Sequence, residues 1–396
     1  MDTYKNRDIE ILRAVAISFV LFFHWAPHAL ARLGGFEEQF PNYTSLWSGV
    51  DLFFCISGFV ITSSLLREID RAPQGGRFAS FAIPFWIRRM WRLWPSAWLW
   101  IFVSVMLAYW FNTTGLFGLP RNTAKDAVMA VSNLYNIHKF FCDHDQSCGS
   151  LSIYWSLSLE EQFYFVFPFL FFFLRRRALG IVLIAVALAQ CFVPRPIVFA
   201  PNMPSLLWLI RTDAICFGAI IALWRSSPSY GRMKPLILVR KPLRILITVP
   251  LLCVLAVAAA PRLALSQATG VLAVVSAILV WIASYGADFI FPKVPSFEPV
   301  LSWLGSRSYS LYLIHATGGR IAAELRARLP DSANGAIGIV SGMLMTIVLT
   351  FALSELNYRF VELPLRRRGR EIARKEHGDV VTAQKSLGVI AKDGTR

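Results

Sequence analysis

Residues 13–24 read RAVAISFVLFFH. Ten apolar or small residues separate a fixed positive charge, Arg13, from the imidazole of His24. In an α-helix that spacing makes about three turns, so both side chains share a face roughly 16 Å apart along the axis. Ionisable groups at membrane depth are costly and face polar cavities rather than lipid. The stretch therefore predicts a membrane helix that walls a chamber, charged at one end and titratable further in.

The rest of the chain agrees with a membrane setting. Its 396 residues are 56% hydrophobic and 16% charged, with 31 Phe and 13 Trp, proportions of an all-α polytopic membrane protein. Ten apolar spans are expected, at 9–31, 45–66, 82–110, 155–174, 178–193, 205–224, 243–261, 266–285, 300–319 and 335–356. Most approach the ~20 residues a bilayer demands. Thirty of the 40 Lys and Arg then fall on the N-terminal side and ten opposite, which predicts both termini in the cytoplasm. Topology thus accounts for the net charge of +16, and no nucleic-acid partner is expected. Ala29-Leu30-Ala31 resembles a signal-peptide cleavage site, but Asp8, Glu10 and the length of the apolar span argue against cleavage.

Of six cysteines, Cys55, Cys191, Cys216 and Cys253 fall in apolar spans and read as packing. Cys142 and Cys148 share the outer loop 111–154, where a disulfide is expected if the compartment is oxidising. No zinc-type ligand spacing appears, and no metal is expected. The same loop is expected to hold one helical piece at 123–140.

Several polar residues interrupt the apolar spans. The second span, GVDLFFCISGFVIT, carries Asp51, with Gly49 and Gly58 permitting close helix approach. FWIRRMWRLWP places Arg88, Arg89 and Arg92 at the inner mouth of the third, with Arg88 and Arg92 on one face at i, i+4. These arginines either snorkel to lipid phosphates or bind a phosphate-bearing ligand with an aromatic group. WSLSLEEQFY carries Ser156, Glu160 and Glu161, and adjacent carboxylates on a helix diverge by about 100°, so one at most faces a central cavity. LLWLIRTDAICFG adds Arg211 and Asp213, and LGSRSYSLYLIH adds His315.

Counting helical rise from the span ends puts His24 and His315 roughly 22 Å above the inner edge, and Asp51, Glu160 and Arg211 at about 21 Å. One polar layer is expected from these five. A proton-coupled transporter of a small solute or a membrane enzyme would use such a layer. A basic aromatic mouth on one side and a base near the other favour group transfer across the bilayer.

These segments, with YRFVELP near the end, resemble the acyltransferase-3 family of integral membrane acyltransferases from about residue 7 to 368. The resemblance implies transfer of an acyl group, often acetyl, from cytoplasmic acyl-CoA to a hydroxyl of a cell-surface saccharide or glycolipid. It implies a multi-pass protein of the bacterial inner membrane. Arg13 and His24 match the family's Arg–His motif, Ser156 and Glu160 its Ser-x-x-x-Glu, and Arg88, Arg89 and Arg92 its basic cluster. On this reading His24 is the general base, Glu160 or Asp51 supports it, Ser156 completes the catalytic set and the arginines bind acyl-CoA. Arg211, Asp213 and His315 extend the polar layer. A covalent acyl-enzyme on His24, Ser156 or Cys55 is the alternative mechanism. Glu10-Ile11-Leu12-Arg13 stands where many members have Asp-Gly-Leu-Arg. Residues 1–368 are expected to form the acyltransferase domain and 369–396 a polar, disordered cytoplasmic tail. A stand-alone form is expected, because the tail leaves no room for the extracytoplasmic hydrolase-like domain that some members append.

Overall fold

The computed structural model describes residues 6–30, 42–71, 78–195, 205–263, 265–329 and 336–376. The Glu37–Glu38 pair of the first outer loop, the Gly75–Gly76 turn and the expected tail from 377 onward lie outside them. Among the described residues there are helices and no strands. The longer ones are α1 (Arg7–Leu30), α2 (Gly49–Arg71), α3 (Phe78–Trp110), α4 (Pro120–Val131), α5 (Tyr135–His144), α6 (Tyr154–Phe173), α7 (Arg176–Phe192), α8 (Asp213–Trp224), α9 (Lys241–Val257), α10 (Ala268–Ser284), α11 (Glu298–Ala327) and α12 (Ala336–Asn357).

Each expected apolar span falls mainly on helix among the described residues. Four helical stretches among the described residues are long and apolar enough to cross a membrane: Leu46–Ile69, Phe78–Trp110, Leu206–Trp224 and Val340–Glu376. The outside of the bundle is apolar, with Phe102, Phe173, Ile181 and Leu246 all at least 60% exposed. Its inside holds ion pairs such as Asp51–Arg211, fully sealed from solvent. Apolar surface outside and satisfied charge inside suit lipid as the solvent. The fold is that of an all-α polytopic membrane protein.

Two glycines bring the central helices together. Gly58 of α2 lies against the backbone carbonyl of Ile215 on α8, and Gly218 of α8 lies against that of Cys55 on α2. Any side chain at either position would collide with backbone, so the two helices cross in direct main-chain contact. Gly49 meets the Ala16 carbonyl of α1 in the same way.

Three elements differ from the sequence reading. The expected outer helix at 123–140 is two helices, α4 and α5, because Asn133 takes a positive φ of 55° and breaks the rise. The span 205–224 is also broken: a single turn, Leu206–Leu209, is followed by unwound Ile210–Thr212 before α8 begins. There the Gln190 side-chain carbonyl accepts the N–H groups of Thr212 and Asp213 (2.7 and 3.0 Å), capping the restarted helix. Beyond α12 the chain passes through a π-turn, Tyr358–Glu362, and stays helical to residue 376. Residues 369–376 are thus helix rather than tail, with Gly369 packed on Trp91 and Ala373 fully buried.

Candidate active site

Two chambers adjoin inside the bundle, named inner and outer after the orientation expected for α1. The inner one holds roughly 670 Å³ of empty space, part of it open to solvent, and its polar wall includes Arg13, Arg89, Arg92, Ser156, Glu160 and Tyr164. The outer one, about 750 Å³ and also part open to solvent, is walled by His24, Trp47, Lys139, Trp155 and Trp208 among others. Val50 and Tyr312 line both, so the chambers adjoin at these two residues.

The inner chamber is basic. Arg13 comes from α1, and Arg89 and Arg92 come from the segment of α3 between Pro84 and Pro95. The Nε atoms of Arg13 and Arg92 are buried without a hydrogen-bond partner among the described residues. Arg89 lies over the Tyr164 ring at 5.4 Å and the Phe85 ring at 5.7 Å. Tyr164 donates a short hydrogen bond to Glu160 and meets the Ser57 hydroxyl at 2.5 Å. Glu160 is close enough to Arg13 and Arg89 for the charges to interact. Its neighbour Glu161 turns away to accept the indole N–H of Trp94 at 3.2 Å, the divergence that helical geometry demands.

Arg88 does not join them. It forms a 3.1 Å ion pair with Glu68 of α2 and lines neither chamber. The chamber pair is Arg89 with Arg92 at i, i+3, in place of the expected Arg88 with Arg92. Both spacings share a helix face, and the acid on α2 draws Arg88 aside.

At the junction the Tyr312 hydroxyl meets Ser156 Oγ at 2.5 Å. Three residues along α11, His315 donates from Nδ1 to the Tyr312 carbonyl at 2.6 Å, which leaves Nε2 an acceptor with no partner among the described residues. The His315 ring lies 4.8 Å from that of His24, centroid to centroid. Cys55 is fully buried and lines neither chamber.

The expected single layer divides into three groups. His24 and His315 form one, Glu160 belongs to the inner chamber, and Asp51 and Arg211 pair with each other. Arg211 Nε and Nη2 donate to the two Asp51 oxygens at 2.9 and 3.1 Å, and its Nη1 donates to the Trp208 carbonyl at 3.0 Å. Asp51 is therefore committed to Arg211 and does not support His24 in this structure. Asp213 likewise pairs with buried Arg195 at 2.6 Å.

The sequence reading missed Tyr312, Lys139 and Glu362. Lys139 reaches the outer chamber because α5 folds over it. Asp126, fully buried, accepts Tyr135 Oη (3.0 Å), the Leu151 N–H (3.2 Å) and His138 Nε2 (3.1 Å), and the Cys142–Cys148 disulfide ties down the end of α5. Glu362, 2% exposed, accepts the Ser310 hydroxyl at 2.7 Å and lies within electrostatic reach of Arg92 and Arg13. Its one signal in sequence is a lone acid between Val361 and Leu363 in an apolar run.

In this helical membrane bundle a chamber lined by arginines adjoins a histidine-bearing one at Val50 and Tyr312. The acyltransferase domain of the acyltransferase-3 family matches residues 6–355, and the chain belongs to that family. It is 29% identical over 390 residues to the peptidoglycan O-acetyltransferase OatA of Listeria monocytogenes, covering 91% of this chain and 56% of that protein. It is 27% identical over 393 residues to the O-acetyltransferase OatA of Staphylococcus aureus, covering 90% and 57%. The chain thus spans little more than half the length of these relatives. No solved structure matches it.

Proposed function

We propose that the protein is an O-acetyltransferase that moves an acetyl group from cytoplasmic acetyl-CoA to a hydroxyl of a cell-wall saccharide. The observation that carries this reading is the meeting of the two chambers at Val50 and Tyr312. Family membership supports the reaction class, and the names of the relatives support the acceptor.

Each chamber suits one substrate. Guanidinium groups bind phosphate with two parallel hydrogen bonds, so Arg13, Arg89 and Arg92 would hold the donor's phosphates, and Glu160 with Tyr164 would balance their charge. The donor's arm would run towards Tyr312 and Ser156. His24 would take the proton of the acceptor hydroxyl as its oxygen attacks the thioester carbonyl. A C–O bond forms, the C–S bond breaks, and the departing sulfur recovers the proton from His24. The hydroxyls of Tyr312 and Ser156, which bond each other and the Ile153 carbonyl, would turn to donate to the carbonyl oxygen as charge develops on it. Residues 1–368 would form the catalytic domain of a multi-pass inner-membrane protein with both termini in the cytoplasm, as the basic residues favour.

The test is reconstitution. The protein in lipid nanodiscs, given acetyl-CoA and solubilised cell-wall saccharide, should release CoA and form an alkali-labile ester on the sugar. Solute uptake abolished by a protonophore, with no CoA release, would establish a transporter instead.

A further inference from the structure

The segment between α3 and α6 turns back into the bundle instead of staying at its outer surface. α4 packs on α3, and α5 packs on α6. Asn133, with its positive φ, makes the turn between them. Gln162 of α6 donates to the Asn133 carbonyl at 2.8 Å and to the Asn136 side-chain oxygen at 2.9 Å, and Ser158 accepts the N–H of Tyr135 at 3.2 Å. Gln162 comes eight residues after Tyr154, the first residue of α6, so the turn sits about 12 Å below the outer end of that helix.

What the hairpin exposes changes with height. Near the turn the exposed side chains are apolar: Val128 at 65%, Val131, Leu134, Ile137 and Phe141 at 59%. Ser132 is exposed among them, and its hydroxyl turns back to the Val128 carbonyl at 2.8 Å. Exposed charge begins at Lys125, eight residues before Asn133 and so about 12 Å above the turn, and continues at Arg121. On the other leg His144, Asp145 and Gln146 are exposed at the open end. The change from apolar to polar thus falls level with the outer end of α6. Elsewhere on the hairpin the charged groups are paired, Asp126 with His138 and Lys139 with Asp143.

Lipid matches this pattern. The neighbouring flank of α3 is itself apolar, with Phe102 at 60% exposure. Non-helical backbone at membrane depth is tolerated only where protein satisfies it, and Gln162 does so for Asn133. A protein partner would need polar groups near the turn to fix its register, and Ser132 has already bonded its own helix. We propose that α4 and α5 form a re-entrant hairpin that dips into the outer leaflet, with Val128, Val131, Leu134, Ile137 and Phe141 against lipid acyl chains. The other side of α5 brings Lys139 to the outer chamber, so the hairpin is the partition between that chamber and the lipid.

The test is a depth measurement on the full chain in phospholipid nanodiscs. A spin label is attached through a ketone amino acid placed singly at Leu134, Ile137 or Phe141, which leaves the native cysteines alone. Phe102 serves as the lipid-facing reference and Gln146 as the water-facing one. Power saturation compares collisions with oxygen, which concentrates in lipid, and with a nickel chelate, which stays in water. Oxygen should dominate at Leu134 and Ile137 as at Phe102, the oxygen-to-nickel ratio should fall from Leu134 to Phe141, and nickel should dominate at Gln146. Nickel dominating at Leu134 and Ile137 would put the hairpin in water and overturn the proposal. Low access to both reagents there would mean that a protein or a second copy covers the face, and would overturn it equally. One ratio at all three sites would lay the hairpin flat on the interface and refute the dip. Independently of any label, Ile137→Lys should lower the melting temperature in nanodiscs while Gln146→Lys leaves it level. Equal melting temperatures for the two would also count against lipid at this face.

Discussion

Asp51 and Arg211 meet through two hydrogen bonds inside a ring of three indoles, and neither lines the chambers. Both are wholly buried, so removing one partner strands the other's charge. Asp51→Leu should destabilise the protein by about 3–5 kcal/mol, whereas the double change Asp51→Leu with Arg211→Met should recover most of that loss. Thermal unfolding in detergent would measure both. A single variant that keeps wild-type stability and loses turnover would return Asp51 to the catalytic set.

The depth arithmetic stops short here for a definite reason. Helical rise fixes the height of a residue and says nothing of which neighbour its side chain faces. Asp51 and Arg211 were placed at one height and do meet, but they meet each other rather than His24. Arg211 lies in the unwound stretch Ile210–Thr212 rather than on a helix, and no apolar count reveals that break. The helices themselves were legible, because apolar runs bounded by charge define them. So was the divergence of Glu160 from Glu161, a consequence of helical rotation alone. Glu362 was hidden by the π-turn, which shifts its phase relative to α12.

The arginine cluster gives a sharper test than it did in sequence. Arg89→Ala or Arg92→Ala should each weaken acetyl-CoA binding about 10- to 150-fold, the range for a charge-assisted hydrogen bond. Arg88→Ala should change it little, since Arg88 pairs with Glu68 outside the chamber. Calorimetry on the purified variants would decide. An equal loss at Arg88 would mean that the donor binds at the surface mouth.

The Cys142–Cys148 bridge closes a short loop at the end of the helix that carries Lys139. Loop closure of this length stabilises by about 2 kcal/mol in the chain-entropy account. Cys142→Ser with Cys148→Ser should lower the melting temperature modestly and raise the acceptor KM, leaving donor affinity intact. In the wild type, alkylation of either thiol without prior reduction would contradict the bridge.

At the inner end, the Arg7 guanidinium clasps Glu298 at 2.6 Å through both of its oxygens. That hydrogen bond holds the Glu298 carboxyl below its ordinary value of 4.5. A depressed acid contributes stability above its unfolded pKa and loses it as pH falls through the folded one. Melting temperature should therefore stay level above about pH 5 and decline below it, and Glu298→Gln should flatten that decline. The effect should be small, because Glu298 is a third exposed. An identical pH profile in Glu298→Gln would remove this pair from the acid response.

The last prediction concerns the two histidines. His24 lines the outer chamber, while Arg13 lies eleven residues back on the same helix in the inner one, roughly 16 Å away. Donor capture and proton removal are thus separated along α1. His24→Ala should leave acetyl-CoA affinity nearly unchanged while acetyl transfer falls about 10²- to 10⁴-fold, as expected for loss of a general base. His315 packs behind His24 with Nδ1 bonded to the Tyr312 carbonyl, and it lines neither chamber. His315→Phe keeps a ring against His24 and removes both nitrogens, so it should lower turnover far less than His24→Ala does. Turnover with acetyl-CoA and a saccharide acceptor, read beside donor binding, separates the two roles. Near-normal transfer in His24→Ala together with a collapse in His315→Phe would move the base to His315, and the acceptor would then have to reach past Tyr312 to meet it.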